Sequence, residues 1–332
     1  MVFNMAKGQP LVPALFIFGD SVFDVGNNNQ LYTIVKANFP PYGRDFKNHM
    51  PTGRFCNGKL ASDFTAENLG FTSYPPAYLN LKAKGKNILN GANFASGASG
   101  YYESTAKLYH AVSLSQQLEH YKECQNELAE VTGRSNASSI ISGAIYLTFS
   151  YSAIPVSFRH VFLSTFTSWP LPRLSKTDMK FFKNLYALGA RRIGVTTLPP
   201  MGCLPASITI FGSGSNDCVS RLNNDAVNFN RKLNTTSQNL KKWFPDLILV
   251  VLDIYQPLYD LVTKPSENGF FEARKACCGT GLVETSILCN HKSIGTCANA
   301  SEYVFWDSFH PSEAANKVLA DDLLIAGISL IS

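Results

Sequence analysis

The chain has 332 residues, of which 45% are hydrophobic and 16% are charged, so it can bury a full core and is not a disordered chain. The formal net charge is only +5, from 29 basic and 24 acidic residues. The densest basic clusters are two pairs, Arg191-Arg192 and Lys241-Lys242, which argues against a nucleic-acid-binding surface. No apolar run approaches the length of a membrane-spanning helix.

Strand-like and helix-like segments alternate along the chain. Short apolar runs predict strands over residues 14–18, 144–149, 192–197 and 247–253. Helical patterns predict helices over residues 178–188, 221–243 and 311–324, the last with Pro311 at its first position. This alternation predicts a parallel sheet covered by helices on both faces. We expect a single domain over residues 14–328, after an N-terminal extension of residues 1–13.

A serine follows the first predicted strand directly, in Gly19-Asp20-Ser21, where ligands of parallel sheets bind. A serine hydroxyl needs a base to become a nucleophile. Asp307 and His310, near the other end of the chain, are three residues apart, so one turn can direct both side chains the same way. The aspartate can then hold the imidazole in the tautomer that accepts the serine proton. The sequence therefore predicts a catalytic Ser-His-Asp triad.

Several segments in the same order as in a known family support this interpretation: ALFIFGDSVFDVGNNN, PTGRFCNGKLASDFTAENLG, NGANFASGASGY, NLYALGARRIGVTTLPPMGCLP, ACCGTGLVETSILCN and EYVFWDSFHPSEAAN. They resemble the plant GDSL esterase/lipases of the SGNH hydrolase superfamily. The resemblance covers nearly the whole chain except about residues 148–183. It implies an α/β fold, namely a flavodoxin-like three-layer α/β/α sandwich with a parallel central sheet. It also implies Ser21 as nucleophile, Asp307 as orienting acid and His310 as base.

The resemblance further implies an oxyanion hole. Gly97 matches the second block of the family, in which a glycine N–H binds the oxyanion, and the Ser21 N–H would be another donor. The family's third block is a Gly-x-Asn-Asp string after a strand, and its asparagine is a side-chain donor. Here no asparagine occurs over residues 137–183.

Three interpretations of this departure stay open. The stretch could reflect an altered exon boundary or a local frame error. Ser150 or Ser152 could replace the donor in part. The string Gly214-Ser-Asn-Asp217 spells the motif, but it lies in another structural context, beside Cys218.

The resemblance implies a serine ester hydrolase that cleaves esters of lipids, small acyl esters or acetylated cell-wall carbohydrate through an acyl-enzyme. Acyl transfer to another alcohol would use the same residues. No metal or organic cofactor is expected, because the serine supplies the covalent step. The missing third block leaves open a catalytically weakened paralogue that binds lipid or carbohydrate. We expect a monomer with an ester substrate, no nucleic-acid partner and no membrane span.

Eight cysteines and three acceptor sequons indicate an oxidising compartment. The candidate disulfide partners are Cys203 with Cys218, and Cys278 with Cys289 or Cys297. The candidate glycosylation sites are Asn136, Asn234 and Asn299. Residues 1–13 contain no continuous apolar segment of a secretory signal. An extracellular location is therefore expected from the cysteines, the sequons and the family resemblance.

Overall fold

The computed structural model describes residues 9–80, 84–101, 103–149 and 174–332, with side chains in the last range from residue 179 onward. Its main sheet contains four parallel strands: β1 (Leu15–Gly19), β2 (Ile145–Phe149), β3 (Arg192–Thr196) and β4 (Ile248–Leu252), in that spatial order. All residues of β1 and β2 are buried, as continuous apolar runs of a covered parallel sheet require. Each predicted strand is present, with ends that differ by at most one residue.

A fifth segment extends this sheet beyond β1. The backbone of residues 90–96 pairs with β1 in parallel. The Leu15 N–H donates to the Asn90 carbonyl, the Phe94 N–H to the Ile17 carbonyl and the Ser96 N–H to the Gly19 carbonyl. The spatial order is therefore residues 90–96, β1, β2, β3 and β4. This is the order of a flavodoxin-like sheet.

Nine α-helices are present in the part of the chain that the structure describes: α1 (Ala61–Asn68), α2 (Glu103–Tyr109), α3 (Leu114–Thr132), α4 (Arg134–Gly143), α5 (Leu174–Ala187), α6 (Pro205–Phe211), α7 (Ser220–Trp243), α8 (Tyr255–Thr263) and α9 (Glu313–Ala326). Helix α9 packs against α1 and α8, whereas α5 packs against α3 and α7. These two groups cover the sheet, which confirms the predicted three-layer α/β/α fold. No described helix combines the length and apolar composition needed to cross a membrane.

Two predicted helix starts were wrong. The last helix begins at Glu313 instead of Pro311, because Ser312 caps it by accepting a hydrogen bond from the Ala315 N–H. Pro311 instead lies opposite Phe305 in an isolated β-bridge. The helix before Gly189 begins earlier than predicted, at Leu174.

A second, smaller sheet lies between α8 and α9 in the chain. Strands β5 (Glu272–Ala276) and β6 (Tyr303–Phe305) pair in parallel, and residues 306–310 follow β6 directly.

The structure contains three disulfides, Cys203–Cys218, Cys277–Cys297 and Cys278–Cys289, and two buried free cysteines, Cys56 and Cys124. Of the two partners predicted for Cys278, Cys289 forms the disulfide. Cys297 pairs with the neighbouring Cys277.

Candidate active site

Ser21 lies on the turn that follows β1. Gly19 ends this strand with a φ of +140°, and a Cβ atom there would lie 1.8 Å from the Phe149 carbonyl oxygen, so only glycine fits. The side chain of Gln117, on α3, accepts from the Gly19 N–H at 2.9 Å and donates to the Gly19 carbonyl at 2.8 Å. The direction in which the chain leaves β1 is therefore fixed. This places Ser21, which is buried, at the carboxyl edge of the sheet.

Ser21, His310 and Asp307 form one continuous hydrogen-bonded chain. Ser21 Oγ lies 2.7 Å from His310 Nε2, and His310 Nδ1 lies 2.7 Å from Asp307 Oδ1. The backbone N–H groups of Phe309 and His310 also donate to Asp307 Oδ1, each at 2.9 Å, and so close the turn between acid and base. An imidazole held in this way can accept the serine proton while the carboxylate stabilises its positive charge.

The second oxygen of Asp307 has two partners that were not predicted from the sequence. Tyr42 donates its hydroxyl proton to Asp307 Oδ2 at 2.6 Å, and Thr285 Oγ1 donates to the same oxygen at 3.0 Å. The Ser286 N–H in turn donates to the Tyr42 hydroxyl oxygen at 2.7 Å. Burial, together with the negative charge of Asp307, raises the pKa of Tyr42 well above its ordinary value. Tyr42 therefore remains a hydrogen-bond donor at neutral pH.

Aromatic rings fix the position of these polar groups. The Phe55 ring lies 5.0 Å from the His310 ring, centroid to centroid, and 6.0 Å from the Tyr42 ring. The Trp306 ring, which is fully buried, lies 6.2 Å from the Tyr42 ring. Because these rings fill the space around the imidazole and the phenol, neither can rotate freely without disturbing the packing.

A second buried carboxylate lies on the Ser21 side of the site. Asp24 Oδ1 accepts from the N–H groups of Gly26 and Asn27, at 2.8 and 2.7 Å. Asp24 Oδ2 accepts from the Gly97 N–H at 2.9 Å and from the Asn28 N–H at 3.4 Å. Burial raises the pKa of Asp24 to about 6, although the four N–H groups act in the opposite direction. This carboxylate joins the loop after Ser21 to the loop that contains Gly97.

The predicted oxyanion donors differ in their availability. In the described part of the chain, the Ser21 N–H has no acceptor, whereas the Gly97 N–H is bound to Asp24. The N–H of Ala98, the next residue, has no acceptor among the described residues either, and Ala98 adopts a φ of +67°. Gly97 would have to leave Asp24 to bind an oxyanion, so its role stays a prediction.

The candidate side-chain donors to the oxyanion lie in two regions of the chain. Ser150 and Ser152 lie outside the described residues. Asn216, in the string that spells the third-block motif, lies in an exposed loop where Ser215 Oγ donates to Asp217 at 2.7 Å.

The side chains of Asn136, Asn234 and Asn299 are all exposed, so the geometry permits glycosylation, which stays a prediction.

Comparison with known proteins identifies the family. The profile of the GDSL-like lipase/acylhydrolase family matches residues 15–141 and 173–323. A GDSL esterase/lipase of Arabidopsis thaliana is 64% identical over 343 aligned residues, which cover 100% of this chain and 94% of the relative. A second one from the same plant is 59% identical (99% of this chain, 95% of the relative), and the GDSL esterase/lipase APG is 56% identical (97% and 92%). The chain therefore belongs to the GDSL lipase/acylhydrolase family and is a carboxylic ester hydrolase.

Proposed function

We propose that this hydrolase works through a Ser21–His310–Asp307 triad and an acyl-enzyme. His310 Nε2 accepts the Ser21 proton as Oγ attacks the ester carbonyl, and Asp307 stabilises the imidazolium. His310 then returns the proton to the leaving alcohol. Water, activated by the same imidazole, attacks the acyl group and releases the acid. The observation that carries this proposal is the unbroken chain of 2.7 Å contacts from Ser21 Oγ to Asp307 Oδ1.

The proposed substrates are carboxylic esters of lipids, small acyl esters or acetylated cell-wall carbohydrate. A second alcohol in place of water would turn the same steps into acyl transfer. We also propose a secreted monomer. The three disulfides support an oxidising compartment, because such bonds do not persist in a reducing one.

Fluorophosphonate labelling, together with p-nitrophenyl acetate and butyrate hydrolysis, tests the proposal. The full chain should be labelled at Ser21 and turn over both esters, and Ser21→Ala should lose both properties. Ser308→Ala is the matched control, because Ser308 is a buried serine whose Oγ has no hydrogen-bond partner among the described residues. Turnover of the wild type equal to that of Ser21→Ala would contradict the proposal and favour a binding protein.

A further inference from the structure

Five large apolar side chains are exposed on two loops, residues 31–36 and residues 285–294. We call these side chains the loop patch, and its members are Tyr32, Ile34, Ile287, Leu288 and Ile294. The exposed fraction is 94% for Tyr32 and 87% for Ile294, and it is at least half for the other three. Large apolar side chains that are grouped at a surface mark an interaction site, so the loop patch is a candidate binding surface.

Hydrogen bonds join the two loops of the patch. The Lys36 N–H donates to the Ser286 hydroxyl oxygen at 2.9 Å, and this hydroxyl donates to the Ile34 carbonyl at 2.8 Å. Within the second loop, Ser293 Oγ donates to the Leu288 carbonyl at 2.8 Å, which brings the end of the loop back to its middle. The exposed side chains of both loops are therefore neighbours in space and form one surface.

The second loop is held in place from two directions. Both the Cys278–Cys289 and the Cys277–Cys297 disulfides close over it, and such closure limits the conformations that its apolar side chains can adopt. The same loop contacts the proposed triad acid, because Thr285 Oγ1 donates to Asp307 Oδ2 at 3.0 Å. A molecule that binds the loop patch would therefore lie close to the proposed active site.

The charge of the two loops favours an anionic partner. Residues 31–36 and 285–294 contain two lysines, Lys36 and Lys292, and no aspartate or glutamate. Glu284, just before the second loop, accepts hydrogen bonds from three N–H groups of its own turn. Protein–protein interfaces are depleted in lysine, whereas aliphatic side chains beside lysines favour a lipid layer, which has anionic headgroups above a hydrocarbon interior.

We propose that the loop patch binds an anionic lipid surface and so brings the active site to the layer in which lipid esters are dissolved. This inference rests on the proposed function, in which esters of lipids are among the substrates. The aliphatic side chains enter the outer hydrocarbon region, where burial stabilises them. The ammonium groups of Lys36 and Lys292 stay among the headgroups, and Tyr32 suits the boundary between the two zones.

Cosedimentation with vesicles tests this surface without any turnover. The vesicles contain equal parts of ether-linked phosphatidylcholine and ether-linked phosphatidylglycerol, whose hydrocarbon chains a carboxylic ester hydrolase cannot release. The wild type should bind these vesicles. The double variant Leu288→Ser with Ile294→Ser should bind them at least about tenfold more weakly, because two side chains no longer gain from burial. A wild type that does not bind would overturn the proposal.

Ile325→Ser with Ile328→Ser is the matched control. Both side chains are exposed to a degree similar to that of Leu288 and Ile294. They lie at the opposite edge of the sheet, because the nearby Leu330 carbonyl accepts from Arg192 at the start of β3. This variant should bind the vesicles like the wild type, and an equal loss in both double variants would overturn the proposal.

The lysines of the two loops test the anionic character of the partner. Lys36→Gln with Lys292→Gln should weaken binding to the mixed vesicles by about tenfold and should not change the weaker binding to phosphatidylcholine alone. Lys241→Gln with Lys242→Gln removes two exposed charges on α7 and should change neither. Equal losses in these two variants would show that net charge attracts the vesicles and would overturn the role of the loop patch.

The two proposals fail in different ways. All four double variants should hydrolyse the soluble p-nitrophenyl acetate like the wild type, since none of them changes the proposed triad. Vesicle binding through the loop patch, without hydrolysis that requires Ser21, would contradict the proposed triad alone. Hydrolysis that requires Ser21, without vesicle binding, would contradict the loop patch alone.

Sedimentation equilibrium distinguishes a second copy of the chain from a lipid layer. The wild type should be a monomer in the absence of vesicles. A dimer that Leu288→Ser with Ile294→Ser dissociates, together with no vesicle binding, would assign the loop patch to self-association and overturn the proposal.

Discussion

On the proton-transfer side of the site, both oxygens of Asp307 accept hydrogen bonds within the protein, and the imidazole of His310 already lies between Asp307 and Ser21. On the side where the oxyanion would form, the Gly97 N–H instead donates to the buried Asp24. On the first side, the members of the proposed triad already contact one another before any substrate binds. The second has one backbone donor engaged elsewhere and no asparagine in the third-block position.

The two sides serve different parts of the proposed reaction, namely proton transfer and stabilisation of the oxyanion. A triad whose members already contact one another can move a proton without reorganisation, and charge development on the carbonyl oxygen requires donors that are free to point at it. In a carboxylic ester hydrolase of this kind, we therefore expect the oxyanion side to limit the rate. The variants below change one side at a time.

The largest effect is expected from the proton-transfer side. Asp307→Asn keeps the shape but leaves His310 in the wrong tautomer, so kcat for p-nitrophenyl butyrate should fall about ten-thousandfold. Asp253→Asn is a suitable control, because Asp253 also lies at the carboxyl edge of the sheet and bonds to Thr197, away from the triad. A loss of less than tenfold in Asp307→Asn would show that Asp307 does not orient the base.

The second-largest effect on kcat is expected at Asp24, the carboxylate that joins the loop after Ser21 to the loop that contains Gly97. Asp24→Asn replaces one of two acceptor oxygens by an amino group, so either the Gly26 and Asn27 N–H groups or the Gly97 N–H lose their partner. Because the altered loops hold the predicted oxyanion donors, kcat should fall by about a hundredfold with little change in KM. Rates are normalised to the fraction of enzyme that a fluorophosphonate titrates. An unchanged kcat would mean that Asp24 does not position these donors.

The same carboxylate should make stability depend on pH. Its pKa is about 6 in the folded protein, above the ordinary value of 3.8, so the folded state binds the proton more tightly than the unfolded state. The contribution of Asp24 to the free energy of unfolding should therefore increase by about 2 kcal/mol from pH 7 to pH 4. Urea unfolding of the wild type and Asp24→Asn at both pH values isolates this contribution as a difference. A difference that does not vary with pH would contradict it.

The smallest effect on kcat is expected at Tyr42, which donates a hydrogen bond to Asp307 Oδ2. Tyr42→Phe removes one of the two hydrogen bonds to Oδ2, while Thr285 keeps the other, so kcat should fall about tenfold. Tyr121→Phe is the matched control, because Tyr121 is a buried tyrosine whose hydroxyl bonds to Tyr146, away from the triad. Equal kcat values for the two variants would show that Tyr42 has no particular role in orienting the acid.

Much of the fold could be predicted because its strands have a clear sequence pattern. The segments around Phe16 and Leu147 are continuous apolar runs that end at a turn or a polar residue, which is typical of strands buried on both faces. The segment at residues 90–96 could not be predicted in the same way, because it is rich in glycine, asparagine and alanine. It pairs through backbone atoms whose partners are fixed only when β1 is in place.

The residues of the proposed triad could be predicted because two of them are three positions apart and the third follows a strand. Their supporting residues had no such signal. Tyr42 and Asp307 are 265 positions apart in the chain, and Gln117 and Gly19 are 98 apart. A tyrosine or a glutamine that acts only through such a distant contact has no local pattern that distinguishes it from a core or surface residue.

The disulfide between Cys278 and Cys289 has a consequence for how the enzyme matures. It closes a loop, 11 positions across, that includes Thr285 and Ser286, the two residues that contact Asp307 Oδ2 and the Tyr42 hydroxyl. Closing such a loop removes many of the conformations that an open chain would sample. Oxidation of Cys278 and Cys289 therefore restricts the loop that contacts Asp307, the proposed triad acid. Before this oxidation, a newly made chain must order both contacts by non-covalent packing alone.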